Sequence, residues 1–529
     1  MLILQDITYI HPNRELLFSG INFIVNQQQK LALVGNNGVG KSTLLQLMAG
    51  NLKPAAGNVK QSSRPYYVPQ VAGQFNDCTV ADALLVGDKV KALNDILKGQ
   101  ATEDNFEILN DDWTIEERCT EAFAYWNLEG LSLTQEINTL SGGQKMKVLL
   151  AGIRIHQPDI VLLDEPSNHL DAESRAILYN YIQNTNHTLV VVSHDRVLLN
   201  LLPSVFELSE KGVTLYGGNY DFYAGQKQLE NAALQQDIQS QEKALRKAKE
   251  TERQAIERQQ KLDSRGKKKQ ENAGVARIMM NTLRNNAEQT NARLKSVHAE
   301  KIGALAQQVG ALRANLPAAD KMKINIDQTS LHKGKVLITV QNVQFGYGNQ
   351  TLWKQPLNFQ IFSGERLAIQ GGNGSGKTTL INLILGKLQA NDGLIKKAEF
   401  SAIYIDQDYS LINGKLNIYQ QAQAYNSGML QEHDVKIRLN RFLFTPDDWD
   451  KPCIALSGGE KMRLVLCLLT ISNQAPDMII LDEPTNNLDL QNIEVLTNAI
   501  NDYHGTLIVI SHDQYFLQEI GIDKSVELI

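Results

Sequence analysis

The chain has 529 residues, 43% of them apolar and 21% charged, with a formal net charge of −6. That length exceeds one hydrophobic core and points to about three domains, while the ordinary globular composition and mildly acidic balance exclude a uniformly basic, nucleic-acid-coating protein. Residues 1–20 carry no basic head, apolar run and small-residue cleavage site, so no signal peptide is expected. No run of eighteen apolar residues is present to span a bilayer. The cysteines Cys78, Cys119, Cys453 and Cys467 form no C-x-x-C spacing. They are expected as buried thiols of a reducing compartment, which places the protein in the cytoplasm.

In chain order, the first buried strand of note is "KLALV" (30–34), running into Gly35-Asn36-Asn37-Gly38-Val39-Gly40-Lys41-Ser42. These residues fit G-x-x-x-x-G-K-[ST], and "STLLQLMAG" follows as a helix with a Gly C-cap. Glycines at that spacing let backbone N–H groups turn inward around phosphate oxygens, and the helix N-terminus adds partial positive charge. Lys41 is expected to reach the β- and γ-phosphates of ATP and Ser42 to coordinate Mg²⁺, with Thr43 completing the cradle. Asp164-Glu165 then close an apolar run at the C-terminal tip of a strand, where ligands of open α/β sheets gather. Asp164 suits holding Mg²⁺ through water, and Glu165 suits polarising the attacking water. His194, just past the next apolar run, is placed to orient that water.

From about Asp221 to Asp263 the text is rich in Gln, Lys, Glu and Ala, all good helix formers. Between Val275 and Leu316 the seam positions recur at Leu283, Ala287, Thr290, Leu294, Val297, Ile302, Leu305, Val309, Leu312 and Leu316, apart from one slip of five the three-four alternation of a coiled-coil seam. The intervening "SRGKKKQENAG" holds two glycines and no apolar run, and a helix break is expected there. Two segments of about forty residues would each extend roughly 60 Å, forming an antiparallel hairpin with a basic tip and ending at Pro317. From Lys227 to Arg313 there are eighteen Lys/Arg against ten Asp/Glu, a local +8 that leaves −14 for the rest. Such segregation suits a phosphate-seeking probe on an acidic body. Arg265, Lys267, Lys268 and Lys269, with Arg277 and Arg284, are the candidate RNA contacts.

The blocks then recur in the same order. Gly371-Gly372-Asn373-Gly374-Ser375-Gly376-Lys377-Thr378, with Thr379, repeats the phosphate loop at an offset of 336, after the strand "RLAIQ". "LSGGQKMKV" at 140 returns as "LSGGEKMRL" at 456, and Asp482-Glu483 repeat the acids at an offset of 318. His512 repeats His194. Three domains follow: residues 1–220 and 335–529 as equivalent α/β units with parallel sheets, and 221–334 as the helical hairpin linker, its basic tip near 264–274.

Phosphate loop, Gln70 or Gln407, LSGG, Asp-Glu-Pro and Ser-His-Asp in this order resemble an ATP-binding cassette (ABC) ATPase, and the likeness covers both repeats. Tandem cassettes joined by a charged hairpin of about a hundred residues, with "YGGNYDFY" at 216–223, resemble the ABC-F family in particular. The resemblance implies ATP sandwiched between the phosphate loop of one cassette and the LSGG of the other. Lys41 and Glu165 would pair with Ser457-Gly458-Gly459, and Lys377 and Glu483 with Ser141-Gly142-Gly143. A serine hydroxyl and glycine N–H groups at a helix start make a suitable second anion cradle. It also implies Gln70 and Gln407 beside Mg²⁺ and Tyr347 stacked on adenine, with His11 and Tyr9 both open as the counterpart in the first cassette.

The family resemblance further implies a ribosome-bound ATPase whose hairpin contacts tRNA and rRNA, working as a monomer with paired cassettes and no membrane subunit. Departures are Ser167 for the usual Thr, Asn487 for the usual His, a short extra stretch around 88–125, and no expected tail past Ile529. Two rival readings are the energy unit of a transporter, which would have a short linker, and a DNA-maintenance ATPase, which would carry its coil inside a cassette.

Overall fold

The computed structural model describes residues 1–70, 75, 77–209, 212–271, 277–314, 332–348, 350–472, 475–486 and 488–528. The side chains of 263, 266–271, 277–292, 294–295, 314 and 350 are outside that description. Contacts divide the chain into two units, Met1–Tyr223 with Met322–Ile529, and Ala224–Lys321.

The first unit holds both cassettes. In one, the strands Tyr66–Val68, Ile160–Asp164, Thr188–Val192, Lys30–Val34 and Val205–Ser209 lie side by side in that order and run parallel, with Gly212–Tyr216 antiparallel at the edge. In the other the order is Ala402–Ile405, Met478–Asp482, Thr506–Ile510, Arg366–Gln370 and Lys524–Glu527, all parallel. The central strands are near-continuous apolar text because both faces are covered; every residue of Ile160–Asp164, Thr188–Val192 and Thr506–Ile510 is buried.

Each cassette adds a three-stranded antiparallel sheet, with Leu2–Ile10 between Leu16–Val25 and Ala56–Gln61, and Val336–Gln344 between Leu357–Phe362 and Asp392–Lys397. These small sheets close the cores. Leu2, Leu4, Ile7 and Phe23 join Leu31, Leu33, Leu44 and Met48 in one cluster, and Leu337, Val340 and Trp353 join Leu367, Leu380 and Ile508 in the other. A fully buried leucine contributes about 2 kcal/mol, so each cluster anchors the phosphate-loop strand and the helix after it.

The second unit is built on two helices, Tyr220–Glu271 (from Ala224 on) and Arg277–Ala314. Arg313 donates to Glu242 Oε1 at 2.6 Å, so the end of the second helix lies beside the early part of the first and the pair is antiparallel. Val309 and Ile238 are buried and Ile302, Leu305 and Leu312 half-buried, but Val297 is 58% exposed, so the seam does not hold at that position. The break expected within 264–274 does not begin at Ser264: the first helix runs on through Gly266 and the three lysines to Glu271. One glycine costs about 1 kcal/mol in a helix, and the Lys, Gln and Glu residues around it outweigh that. Residues 272–276, Leu316 and Pro317 lie outside the described residues. No helix among the described residues is long and apolar enough to cross a membrane.

Candidate active site

The two phosphate loops sit between strand and helix as their sequences require. Gly40 and Gly376 precede the helices Lys41–Ala49 and Lys377–Leu385 with φ of 100° and 89°. A Cβ at Gly40 would fall 2.7 Å from Leu17 Cδ2, and one at Gly376 would fall 2.2 Å from Leu352 Cδ2, so conformation and space both demand glycine. Gly50 and Gly386 close the helices in the left-handed conformation. The Lys41 ammonium donates to the carbonyls of Gly35 (2.7 Å) and Asn36 (3.1 Å), and Lys377 donates to Gly371 (2.8 Å) and Gly372 (3.0 Å). Burial pushes the Lys41 ammonium below its ordinary range, against the pull of Glu165, Asp489 and Asp164. Lys377 is lowered by burial likewise, against Glu483, Asp482 and Asp171.

Both acid pairs stand at their strand tips. Asp164 takes hydrogen bonds from the Tyr67 hydroxyl, at 3.2 Å, and from Ser42, while its Oδ1 is buried without a hydrogen-bond partner. Asp482 Oδ2 accepts from Tyr404 at 2.8 Å and from Thr378 at 3.2 Å. Burial raises both carboxyls. A serine or threonine hydroxyl meeting a carboxylate with an unfilled buried oxygen fits a hard cation such as Mg²⁺. Among the described residues no three His, Cys, Asp or Glu converge on a metal position, so nucleotide oxygens and water would complete the ion's shell. Gln70 and Gln407 are exposed just beyond the strands Tyr66–Val68 and Ala402–Ile405.

The following glutamates adopt φ of 51° (Glu165) and 49° (Glu483), a left-handed conformation rare outside glycine and often kept at functional positions. Their N–H groups bond to Val192 O and Ile510 O, both at 2.8 Å, on the neighbouring strands. Glu165 Oε1 lies 3.3 Å from His194 Nε2 and Glu483 Oε1 lies 3.4 Å from His512 Nε2, close but not aligned as hydrogen bonds. Burial pushes Glu165 up to about 8 and Glu483 up to about 7, and lowers both imidazoles, His512 to about 4. A carboxyl tuned toward neutrality beside a neutral imidazole is suited to proton transfer at water.

The signature serines act as N-caps. Ser141 and Ser457 each form a reciprocal capping box, with Gln144 and Glu460, at the start of Gly142–His156 and Gly458–Ile471. Gly143 is buried against the His169 carbonyl and Asn373 of the opposite phosphate loop. That loop is tied across the cassettes: Asn373 Nδ2 donates to His169 O at 3.1 Å. Reciprocally, Asp489 Oδ2 accepts from the Asn37 N–H at 3.0 Å. Burial pushes Asp171 up, yet Ser174, Lys147 and the Asn373 backbone N–H bring it below its ordinary value. Each phosphate loop is thus touched by the other cassette's Leu-Asp segment.

Tyr347 is 64% exposed, with its hydroxyl 3.3 Å from Thr379 Oγ1, and Tyr9 and His11 pack edge to face at 5.6 Å in the first cassette. Arg265 is exposed on the long helix. Lys267, Lys268 and Lys269 lie on that helix and Arg277 and Arg284 on the next, with side chains outside the described set, as is Asn487. Sequence reasoning missed Tyr67, Tyr404, Asp171 and Asp489. The signal was present: a tyrosine stands three residues before each glutamine, and Leu-Asp closes both "SNHLD" and "TNNLD".

The ABC transporter family model matches residues 18–168 and 354–486, together more than half of the chain. The ribosome protection protein VmlR of Bacillus subtilis is 29% identical over 515 residues, spanning 96% of this chain and 84% of that protein. ABC transporter F family member 5 of Arabidopsis thaliana is 28% identical over 540 residues, spanning 96% of this chain and 72% of its own. Among solved structures, a complex of an archaeal ribosomal stalk protein with the archaeal ribosome recycling factor aligns over 99% of this chain and 87% of that one, at a TM-score of 0.62 and 19% identity. Tandem cassettes with these reciprocal loops, matched along nearly their whole length by F-type relatives, make the chain a member of the ABC-F family of ABC ATPases.

Proposed function

We propose that the chain is a translation-acting ATPase that binds the ribosome in an ATP-closed form, its interdomain helices meeting tRNA or rRNA with the basic stretch around Arg265 and Lys267 to Lys269. The observation that carries this reading is the reciprocal contact of Asp489 with the Asn37 N–H and of His169 with Asn373. Each phosphate loop faces the opposite cassette, so a nucleotide bound there bridges two halves. The name of the relative VmlR, a ribosome protection protein, and the local +8 between Lys227 and Arg313 against −14 elsewhere supply the direction toward structured RNA.

In each site the phosphate-loop N–H groups and Lys41 or Lys377 hold the β- and γ-phosphates. Ser457-Gly458-Gly459 and Ser141-Gly142-Gly143 grip the γ-phosphate from the other side. Ser42 with Asp164, and Thr378 with Asp482, would hold Mg²⁺, with Gln70 and Gln407 nearby, and the ion would supply positive charge against that developing on the phosphoryl oxygens. Glu165 and Glu483 take the proton of the attacking water, and His194 and His512 orient it. Tyr347 stacks on adenine in the second cassette. The molecule works in the cytoplasm as a monomer through intramolecular cassette pairing. The test is the Glu165→Gln, Glu483→Gln double variant, which keeps the clamp but lacks the base. It should stay with ribosomes on sedimentation in ATP; release in ATP would refute the docking model.

A further inference from the structure

We propose that Arg175 is a positioning residue acting in trans on the ATP site that carries Glu483, with no counterpart at the site that carries Glu165, so that the two sites are unequal by construction. Arg175 lies on the helix Ala172–Asn184 of the first cassette, one turn beyond Asp171, with a side chain only 12% exposed. Its Nε donates to Leu170 O at 3.1 Å, and Nη1 reaches across the cassettes to His512 O at 3.4 Å. The same Nη1 is 3.7 Å from Asp195 Oδ2, which also accepts from the Tyr179 hydroxyl at 2.5 Å. Arg175 is therefore fixed on its own side by Leu170 and Asp195 and presents a charge to the backbone of His512, whose ring lies beside Glu483. Its charge also acts on Glu483 itself.

The reverse contact is missing from the sequence. The offset of 318 that aligns Asp164 with Asp482 puts Ile493 opposite Arg175 and Thr497 opposite Tyr179. Ile493 is buried, and the Thr497 hydroxyl donates to Ile493 O of its own helix at 2.9 Å. The charges acting on Glu165 come from its own cassette, namely Lys41, Asp164 and Asp195. A pocket at the cassette junction is lined by Arg175, His194 and Asp195 from one side and Ile493, Leu488 and Asp513 from the other. A cation thus faces an apolar side chain where a symmetric pair would place like against like.

This inference rests on the reading that Glu165 and Glu483 each activate water in their own site. The experiment measures steady-state ATP turnover of Arg175→Ala and Arg175→Lys in two backgrounds of the full chain, with thermal unfolding to verify folding. In Glu165→Gln, where the Glu483 site alone turns over, Arg175→Ala should lower kcat by at least about tenfold, and Arg175→Lys should recover part of it. In Glu483→Gln the loss should be several-fold smaller. Equal losses in the two backgrounds overturn the inference, because a purely structural role at the junction would affect both sites alike. Full turnover in the Glu165→Gln, Glu483→Gln double variant would instead overturn the glutamate assignment and this inference with it.

Discussion

Replacing Gly143 with alanine tests whether the signature segment of one cassette positions the phosphate loop of the other. The new Cβ would stand 2.7 Å from the His169 carbonyl oxygen and 3.3 Å from Asn373 Nδ2. Restoring an ordinary contact near 3.4 Å moves that carbonyl by about 0.7 Å. The same carbonyl accepts the Asn373 amide at 3.1 Å, so the displacement acts directly on a bond between cassettes. Losing that bond costs about 1 kcal/mol, and crowding a packed site adds about 1–3 kcal/mol. A total of roughly 2–4 kcal/mol corresponds to a loss of about 30- to 700-fold in nucleotide affinity at the Lys377 site. The assay is titration of a fluorescent ATP analogue in the Glu165→Gln, Glu483→Gln background, where hydrolysis does not intervene. The control is the parent Glu165→Gln, Glu483→Gln protein with glycine kept at 143. Should Gly143→Ala bind within twofold of that control while folded, the trans contact does not shape the site.

Gly459→Ala should act on the opposite site, because its Cβ would lie 2.4 Å from Asn492 Nδ2, which donates to Asp489 at 2.7 Å, and Asp489 in turn holds the Asn37 N–H. A loss of about tenfold or more in affinity at the Lys41 site is expected from crowding of this kind, read by the same titration in a Lys377→Ala background. Neutralising Arg265 and Lys267 to Lys269 should weaken ribosome binding and lower its log–log salt slope by about 0.7–0.9 for each phosphate no longer neutralised; an unchanged slope returns the stretch to a role in solubility. Tyr503→Phe removes a buried hydroxyl that donates to Pro476 O at 2.7 Å and should destabilise its cassette by about 1–3 kcal/mol, read as a fall of about 2–4 °C in Tm per kcal/mol.

The parts of the fold legible in the sequence are those where local chemistry leaves one solution. Gly40 and Gly376 occupy backbone conformations and tight packing that exclude a side chain, so the phosphate loop is written in its glycines. The strand tips at Asp164 and Asp482 were visible because a fully buried parallel strand must end where polar residues begin. The two antiparallel sheets were not singled out, since β-bulges interrupt the alternation of Leu2–Ile10 and Val336–Gln344. The long helix continues past Gly266, although two glycines and the lack of an apolar run pointed to a break there, because the first glycine costs only about 1 kcal/mol against helix-forming neighbours. The repeated Leu-Asp pairs stand in the sequence, but the partners that Asp489, His169 and Arg175 meet across the cassettes do not. Each depends on which residues the fold brings together across more than two hundred positions.

If nucleotide acts as the switch for docking, its binding energy must differ between open and closed forms, and the composite geometry sets how much each site can supply. Moving an equilibrium from 1:99 to 99:1 takes about 5.5 kcal/mol of differential affinity, so two sites that differ in turnover but bind nucleotide equally would each provide about 2.7 kcal/mol. A serine hydroxyl and one glycine N–H reaching an anionic phosphate from the opposite cassette are worth about 1.5–3 kcal/mol apiece, enough for that share. The capped helices beginning after Ser141 and Ser457 present such donors. Removing one site with Lys377→Ala should therefore cut the swing to about 100-fold and leave closed and open forms near parity in saturating ATP. Wild-type protein under the same conditions should be almost wholly closed. Inter-cassette distance measured with a pair of fluorophores distinguishes the two outcomes. A fully closed Lys377→Ala protein would show that the Lys41 site alone drives closure, and the energy would then have to be assigned unequally between the sites.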